Sequence, residues 1–358
     1  MNATTIPPST AAAAVRAATL VRRLALLGSL LALTVVVLGA WVRLTDAGLG
    51  CPDWPTCYGH VTPDAAAAIP GQVEKYDPGW EFDSGKAWHE MIHRYAATTL
   101  GFVIVLIAAL AIAWRRERIV SLPFAAGLLA TVLLQGLLGA LTVWWLVKPV
   151  IVVLHLIGGL STLALLWWLW LTLRRRTAVV SAVAGTTATP ALDGARRWAA
   201  IATAALCVQI VLGGWTSSNY AAVSCPDFPT CQAQWWPAGM DYGEAFVLWR
   251  GLDINYTGGV LDNPARVAIH FTHRLGALVA TLALLWAAWL ALRNAPTALV
   301  RNGGRWVVAA LALQLAIGIL MVLESFPLPL ATGHNGGAAL LLLAALALNR
   351  RLRETVTA

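Results

Sequence analysis

Four histidines fall into two pairs that an internal repeat relates to each other. His93 and His273 are each followed by an arginine, and Gln135 precedes His155 by the interval that separates Gln314 from His334. Imidazole is a common ligand of transition metals and of heme iron. Because the same pair occurs twice in apolar surroundings, the sequence predicts two similar metal or heme sites.

The repeat also includes two short cysteine loops. The segment Cys51-Pro-Asp-Trp-Pro-Thr-Cys57 returns as Cys225-Pro-Asp-Phe-Pro-Thr-Cys231, at nearly the offset of the histidines. Two prolines bend each segment, which favours a disulfide within each loop, Cys51–Cys57 and Cys225–Cys231. The bridges can be structural staples or redox-active dithiols, and the spacing does not decide between them. A zinc site made of all four cysteines is disfavoured because the loops lie far apart in the chain.

Coordination of heme by two histidines is the chemistry that this pattern favours. All four histidines lie near the start of an apolar segment, so two helices that enter a membrane from one side can present imidazoles to both faces of one heme. Ionisable side chains inside a membrane are functional candidates by default. Arg94 and Arg274, which directly follow two of the histidines, and Arg43 are candidates for pairing with heme propionates.

Glu90 is an acidic residue that lies one helical turn before His93. Residues His89 to His93 match the H-E-x-x-H pattern of zinc proteases. The repeat disfavours zinc chemistry, because His89 has no counterpart in the second half and Glu90 aligns with His270. The asymmetry indicates instead that the first half performs chemistry, with a carboxylate beside a heme ligand.

Eight apolar segments that are long enough to cross a bilayer position these residues. The chain of 358 residues is 59% hydrophobic and 12% charged, with a mean hydropathy of +0.69, and about 20 apolar residues span the hydrocarbon core. Because backbone polar groups in lipid must be satisfied within the segment, each span is predicted to be a helix. The predicted spans are 21–42, 88–114, 119–143, 149–173, 197–217, 265–292, 304–324 and 329–348.

The predicted fold is an all-α membrane protein whose eight transmembrane helices form two four-helix bundles related by a pseudo-two-fold axis. Each half has four spans and therefore begins and ends on one side of the membrane. Most arginines flank the spans on that side, which makes it cytoplasmic by the positive-inside rule. The cysteine loops and the histidines then lie toward the outer side of a bacterial-type cytoplasmic membrane. The net charge of +8 reflects this topology rather than nucleic-acid binding.

Polar segments divide the chain into five parts. Residues 1–20 are predicted to be a disordered cytoplasmic N-terminus, 174–197 a flexible cytoplasmic linker, and 351–358 a cytoplasmic tail. The two four-helix halves are 21–173 and 198–350.

With these motifs the chain resembles the heme A synthase family over about residues 20–350. The resemblance rests on the eight spans, the two histidine pairs, Glu90 before His93-Arg94, the pair His273-Arg274 and the cysteine pair of the first loop. It implies oxidation of the C8 methyl of heme O to a formyl group, through successive hydroxylations, to make heme A for terminal oxidases.

The resemblance also implies different roles for the two halves. His93 and His155 would hold the substrate heme O, with Glu90 as the catalytic residue, and His273 and His334 would ligate a heme b cofactor. The implied partners are the membrane enzyme that produces heme O, the lipid bilayer, and an electron donor or acceptor that the sequence does not identify. A second cysteine pair is not universal in the family, so its role stays open, as does homo-oligomerisation.

Two other functions fit the same four histidines. A di-heme b membrane subunit would exchange electrons with quinone, and a heme transporter or chaperone would move heme without changing it. Heme A made from heme O indicates the synthase, two permanently bound b-type hemes indicate the electron carrier, and exchange of unchanged heme indicates the transporter.

Overall fold

The computed structural model describes residues 8–76, 82–176, 190–294 and 297–354. Within these ranges the regular secondary structure is helical, and extended pairing is limited to two isolated β-bridges. Ten α-helices occur in the described chain and are numbered in order. Their bounds are α1 Pro8–Leu44, α2 Pro63–Ala67, α3 Ser84–Ala113, α4 Leu122–Trp144, α5 Pro149–Arg176, α6 Pro190–Ser218, α7 Tyr242–Ala245, α8 Asn263–Arg293, α9 Ala298–Leu323 and α10 Leu328–Glu354.

Eight of these helices, all except the short α2 and α7, are long and apolar enough to cross a membrane. Large apolar side chains face outward from them, including Phe102, Leu133 and Val279, which are 72%, 67% and 61% exposed. Such side chains are compatible with a lipid surrounding, in which a helix satisfies its own backbone hydrogen bonds. The predicted all-α fold with eight spans is confirmed, and the chain is a multi-pass membrane protein.

The ends of some helices differ from the prediction. α1 begins at Pro8, so residues 8–20, which were predicted to be disordered, form its first turns. Alanine dominates this segment and has the highest helix propensity, which explains the longer helix. The helices α5, α6 and α10 likewise extend into the predicted linker and tail. The remainder of the predicted N-terminus, linker and tail lies outside the described residues.

The helix contacts of the two halves correspond to one another. α1 packs on α3 and α5 in the first half, as α6 packs on α8 and α10 in the second. α4 packs on α3 and α5, as α9 packs on α8 and α10. The halves meet where α1 packs on α10, α5 on α6, and α5 on α10. This pattern of contacts fits the predicted pseudo-two-fold arrangement.

One apolar core continues from the first half into the second. It includes the buried side chains of Ile104 and Leu163 from the first half and of Leu284 and Leu341 from the second. In lipid, van der Waals packing rather than transfer from water stabilises contacts between helices, and small residues allow close approach. The core accordingly contains many buried alanines.

A polar cluster joins the two halves near the disulfide loops. Arg43, in the last turn of α1, donates to the main-chain oxygen of Ser217 at 2.7 Å and lies 4.0 Å from the ring centre of Tyr220. The Tyr220 hydroxyl donates to Asp46 at 2.5 Å. Arg43 and Ser217 are separated by 174 residues, as are Asp46 and Tyr220, so equivalent positions of the repeat meet each other here. The cluster therefore fits a position beside the pseudo-two-fold axis.

Lys148 forms a second junction between the halves. It lies between α4 and α5, is 1% exposed, and donates to the main-chain oxygen of Gly251 in the long loop of the second half. Its ammonium group lies 3.8 Å from the ring centre of Trp249, and the rings of Trp145 and Tyr256 lie at 5.9 and 5.8 Å. Cation–π contacts of this kind stabilise by about 2 kcal/mol when they are desolvated. The long loop of the second half is thereby fixed to the first half.

Candidate functional site

The Glu90 carboxylate is buried between the start of α3 and the first disulfide loop. Glu90 is 5% exposed, and it is the only acidic residue among the buried side chains of the described chain. One carboxylate oxygen pairs with the Arg94 guanidinium at 2.5 Å, and the other accepts the main-chain N–H of Cys51 at 2.9 Å. A buried charge without such partners would cost several kcal/mol. The cysteine loop and Arg94 therefore fix the carboxylate one helical turn from His93.

The rings of His93 and His155 approach each other between α3 and α5. Their ring centres are 6.4 Å apart and their planes are inclined by 74°. An imidazole nitrogen binds a metal at about 2 Å, so two imidazoles on opposite sides of one iron atom have ring centres roughly 6 Å apart. Nδ1 of each ring is buried and makes no hydrogen bond to a side chain of the described residues. The separation and the unused nitrogens fit a pair of axial heme ligands.

His273 in α8 and His334 in α10 occupy the matching positions of the second half. The amide nitrogen of Gln209, in α6, lies 3.0 Å from Nδ1 of His273. The amide nitrogen of Gln314, in α9, lies 3.3 Å from both ring nitrogens of His334. A hydrogen-bonding group at the second nitrogen commonly orients a metal-bound imidazole. Among the described residues, side chains thus contact the ring nitrogens of the second pair but not those of the first.

A glycine of a neighbouring helix lies against each of the four rings. A Cβ atom at that glycine would lie 3.0 Å from Cε1 of His93, 3.5 Å from His155, 3.1 Å from His273 and 2.9 Å from His334. The glycines are Gly39, Gly139, Gly213 and Gly318. Any larger residue would crowd the ring at the three closer positions. With this room and this ligand type, the four histidines fit two bis-histidine heme sites, one in each half.

The arginines that follow two of the histidines bind the disulfide loops. Arg94 donates to the main-chain oxygen of Thr56 at 2.6 Å, and Arg274 donates to those of Thr230 and Cys225 at 2.6 and 2.9 Å. These contacts occupy donors that a heme propionate would need. They favour anchoring of the loops, and pairing of these arginines with propionates stays a prediction. Arg43, the third candidate, is engaged at the junction of the halves.

His270 replaces Glu90 in the second half, as the alignment of the halves predicts. It is 5% exposed, and its Nε2 accepts a hydrogen bond from Nε of Arg274 at 3.3 Å. The arginine therefore faces an imidazole in the second half and a carboxylate in the first. Among the described residues, the buried position that matches Glu90 therefore carries an imidazole instead of a carboxylate.

Both predicted disulfides are present. Cys51–Cys57 and Cys225–Cys231 have Cα–Cα distances of 4.8 and 4.6 Å. Each loop also closes with an antiparallel β-bridge, from its second cysteine to the residue three positions later. The loops are thus alike in structure, but only the main chain of the first one contacts a buried carboxylate.

Sequence reasoning missed two of the contacts near the sites. Gln209 is absent from the repeat because Val35 stands at the matching position of the first half, and Lys148 likewise aligns with Pro327. The spacing identified Gln135 and Gln314 as landmarks, but no signal along the chain indicated that an amide would reach an imidazole.

The zinc interpretation of the first half finds no third ligand in the structure. No group of three or more His, Cys, Asp or Glu side chains that could hold a metal ion occurs within residues 8–76, 82–176, 190–294 and 297–354. The ring of His89 packs edge-on against Trp41 with ring centres 5.9 Å apart, and Glu90 is engaged by Arg94.

Comparison with known proteins gives one consistent result. Residues 22–346 match the family model described as cytochrome oxidase assembly protein. A heme A synthase from Shewanella oneidensis is 39% identical over 318 residues, which covers 88% of this chain and 92% of that protein. Heme A synthases from Chelativorans sp. and Paracoccus denitrificans are 29% and 28% identical, each over 86% of this chain and over 84% and 81% of their own length.

Proposed function

Because the chain belongs to the family of cytochrome oxidase assembly proteins, we propose that it converts heme O to heme A. The reaction is oxidation of the C8 methyl of heme O to a formyl group through successive hydroxylations, so the protein is a membrane oxidoreductase. The product serves as a cofactor of terminal oxidases. The names of the similar proteins favour this activity over a di-heme electron carrier or a heme transporter.

The observation that supports this function best is the asymmetry of two otherwise matching halves. Among the residues that the structure describes, a buried carboxylate, Glu90, lies beside the first histidine pair and not the second, and side-chain amides reach the rings of the second pair and not the first. A substrate heme needs a proton acceptor nearby and must leave after the reaction, which suits the first half. A cofactor heme must stay bound, which suits the second half.

The histidine pairs take different roles in this scheme. His273 and His334 hold heme b, which supplies one-electron redox chemistry when it is bound. His93 and His155 hold the substrate heme O. The apolar helices around both pairs shield them from bulk solvent.

Glu90 moves protons at the substrate. Conversion of a methyl group to a formyl group removes protons as well as electrons, so an acceptor beside the carbon assists the reaction. Arg94 and the main-chain N–H of Cys51 hold the two carboxylate oxygens in place. The same carboxylate can stabilise positive charge that develops near the methyl carbon.

The surroundings of the two histidine pairs touch where α5 contacts α6. α5 and α6 meet where Gly214 lies against Leu156, since a Cβ atom at this glycine would lie 2.7 Å from that side chain. Gly214 follows Gly213, which lies against His273, and Leu156 follows His155. This short apolar connection suits electron exchange between two hemes.

The membrane orientation follows from the charge pattern. We place both termini in the cytoplasm, where the arginine-rich segments lie, and the disulfide loops and histidine pairs toward the outer side of a bacterial cytoplasmic membrane. Heme O then reaches the first half from the membrane enzyme that produces it.

Heme analysis of cells tests the proposal. The chain is expressed in a bacterial host that makes heme O but lacks an enzyme for heme A, and extracted hemes are identified by liquid chromatography and mass spectrometry. Wild type should produce heme A. Glu90→Gln should keep heme b but lower heme A output by on the order of 10²–10⁴-fold, because a proton-transfer partner is lost.

The matched control is Glu244→Gln, which alters an exposed carboxylate that pairs with Arg250 in the long loop of the second half. It should leave heme A output unchanged. Normal output from Glu90→Gln contradicts the assigned role of that residue. A wild-type protein that binds two unchanged b-type hemes and makes no heme A contradicts the proposed function.

A further inference from the structure

A side-chain amide and a glycine occur together beside three of the four histidines. In each case the amide oxygen of a glutamine lies against the glycine that follows the histidine by three residues, so closely that a Cβ atom there would overlap the amide. These sets are Gln135 with Gly158 near His155, Gln209 with Gly276 near His273, and Gln314 with Gly337 near His334. We call each one an amide–glycine pair.

His93 lacks both members of this pair. Ala96 follows it by three residues, and Val35 stands where Gln209 stands in the second half. The amide needs the space that glycine provides, so the two changes belong together. The first half therefore differs from the second at His93 as well as at Glu90.

The three glutamines differ in how far they reach. Each amide nitrogen donates to the main-chain oxygen of its histidine, at 2.9 Å for Gln135, 3.0 Å for Gln209 and 3.1 Å for Gln314. Only Gln209 and Gln314 also contact a ring nitrogen, at 3.0 and 3.3 Å. Among the described residues, side-chain contact with an imidazole nitrogen is thus made by both histidines of the second pair and by neither of the first.

An amide in this position can fix the ring of a heme ligand. Groups that contact a metal-bound imidazole beside the metal orient its ring. The amide nitrogens of Gln209 and Gln314 lie within 3.5 Å of both ring nitrogens of their histidines while they donate to the main-chain oxygens of the same residues. Each amide is thus anchored to the main chain and restrains the ring by contact.

We propose that Gln209 and Gln314 are positioning residues that retain heme b by fixing the planes of the His273 and His334 rings. Among the described residues no side-chain amide contacts a ring nitrogen of the first pair, and the heme of the first half stays exchangeable, as a substrate and product must. This proposal rests on the proposed function, since it takes the second half as the heme b site.

Heme transfer to apomyoglobin tests retention directly. Purified protein in detergent, with its heme b, is mixed with excess apomyoglobin, and heme loss is followed by absorbance. Gln209→Leu and Gln314→Leu should lose heme b about 10–100-fold faster than wild type, the usual effect of removing such a partner of a metal ligand. Gln135→Leu is the matched control, because its amide reaches only the main chain of His155, and it should not change the rate.

The midpoint potential of heme b separates positioning from a general loss of structure. The leucine variants should shift it, because the orientation of the imidazole ligands helps to tune a bound metal. Gln209→Glu should lower it, because an anionic acceptor makes the ligand more basic. The electron paramagnetic resonance spectrum of the ferric heme should shift in the same variants. Unchanged loss rate, potential and spectrum in both leucine variants overturn the proposal.

Two further results distinguish failure of this proposal from failure of the proposed function. If His93→Ala loses the tightly bound heme b and His273→Ala keeps it, the assignment of the halves is wrong and the proposed function fails with it. If the leucine variants do not fold, the double variant Val35→Gln, Ala96→Gly adds the missing pair beside His93. It should slow heme transfer from the first half, and an unchanged rate overturns the proposal.

Discussion

At the scale of the residue, one guanidinium group joins the candidate catalytic carboxylate to the first disulfide loop. Arg94 pairs with Glu90 and donates to the main-chain oxygens of Asp53, Pro55 and Thr56. Arginine suits this place because its planar group presents five N–H donors in a fixed arrangement, whereas lysine presents a single compact charge. The shape of the loop and the position of the carboxylate therefore depend on the same side chain.

Replacement of the two loop-binding arginines by lysine should loosen each loop separately. Arg94→Lys should increase amide hydrogen exchange in residues 51–60, and Arg274→Lys in residues 225–234, because one compact ammonium group cannot occupy the positions of both guanidinium Nη atoms. Exchange measured by mass spectrometry checks this, and each variant is the control for the other. Unchanged exchange together with a lower heme content would favour the propionate role predicted for these arginines from the sequence.

The sequence alone identified the functional candidates that occur at matching positions of the two halves. It did not identify candidates that have no counterpart in the other half. Glu90 and the histidines stand out because two halves can be aligned and compared. Gln209 does not, because its partner position is Val35, and its role depends on where α6 packs against α8. Distances between side chains on different helices arise from packing, which a pattern along the chain does not encode.

At the scale of the element, the two disulfide loops have the same internal hydrogen bonds but contact different neighbouring residues. An aspartate in each, Asp53 or Asp227, accepts hydrogen bonds from a threonine and from two main-chain N–H groups. The threonine hydrogen bond holds the pKa of Asp227 below its usual range. The first loop, however, presents the N–H of Cys51 to Glu90. The residue pattern predicted both bridges, and only the fold reveals that one of them adjoins the carboxylate.

Removal of the two disulfides should therefore have different consequences. Each closes a loop whose cross-link stabilises by roughly 2–3 kcal/mol on the chain-entropy model. Cys51→Ser with Cys57→Ser should also lower heme A output per folded protein by on the order of 10²-fold, because a small displacement of a catalytic group has an effect of that size. Cys225→Ser with Cys231→Ser should lower thermal stability alone. Equal loss of output from both double variants would contradict this difference.

At the scale of the whole molecule, the two halves share their helix packing and differ in the residues beside their histidines. The eight spans could be predicted because apolar length is visible in the sequence. The junction of the halves could not, because its residues Arg43, Tyr220 and Lys148 act across the pseudo-symmetry axis or lack a repeated partner. The long α1 was missed because an alanine-rich lead resembles a disordered segment in composition while it favours a helix.

The division of labour between the halves is the central claim, and the heme content of four purified variants tests it most directly. His93→Ala, His155→Ala, His273→Ala and His334→Ala are expressed in cells that make heme O, and their hemes are measured by pyridine hemochrome and mass spectrometry. The two second-half variants should lose the tightly bound heme b, since each removes an axial ligand. The two first-half variants should keep heme b and contain neither heme O nor heme A. Loss of heme b from the first-half variants, with heme b retained in the second-half variants, would contradict the account.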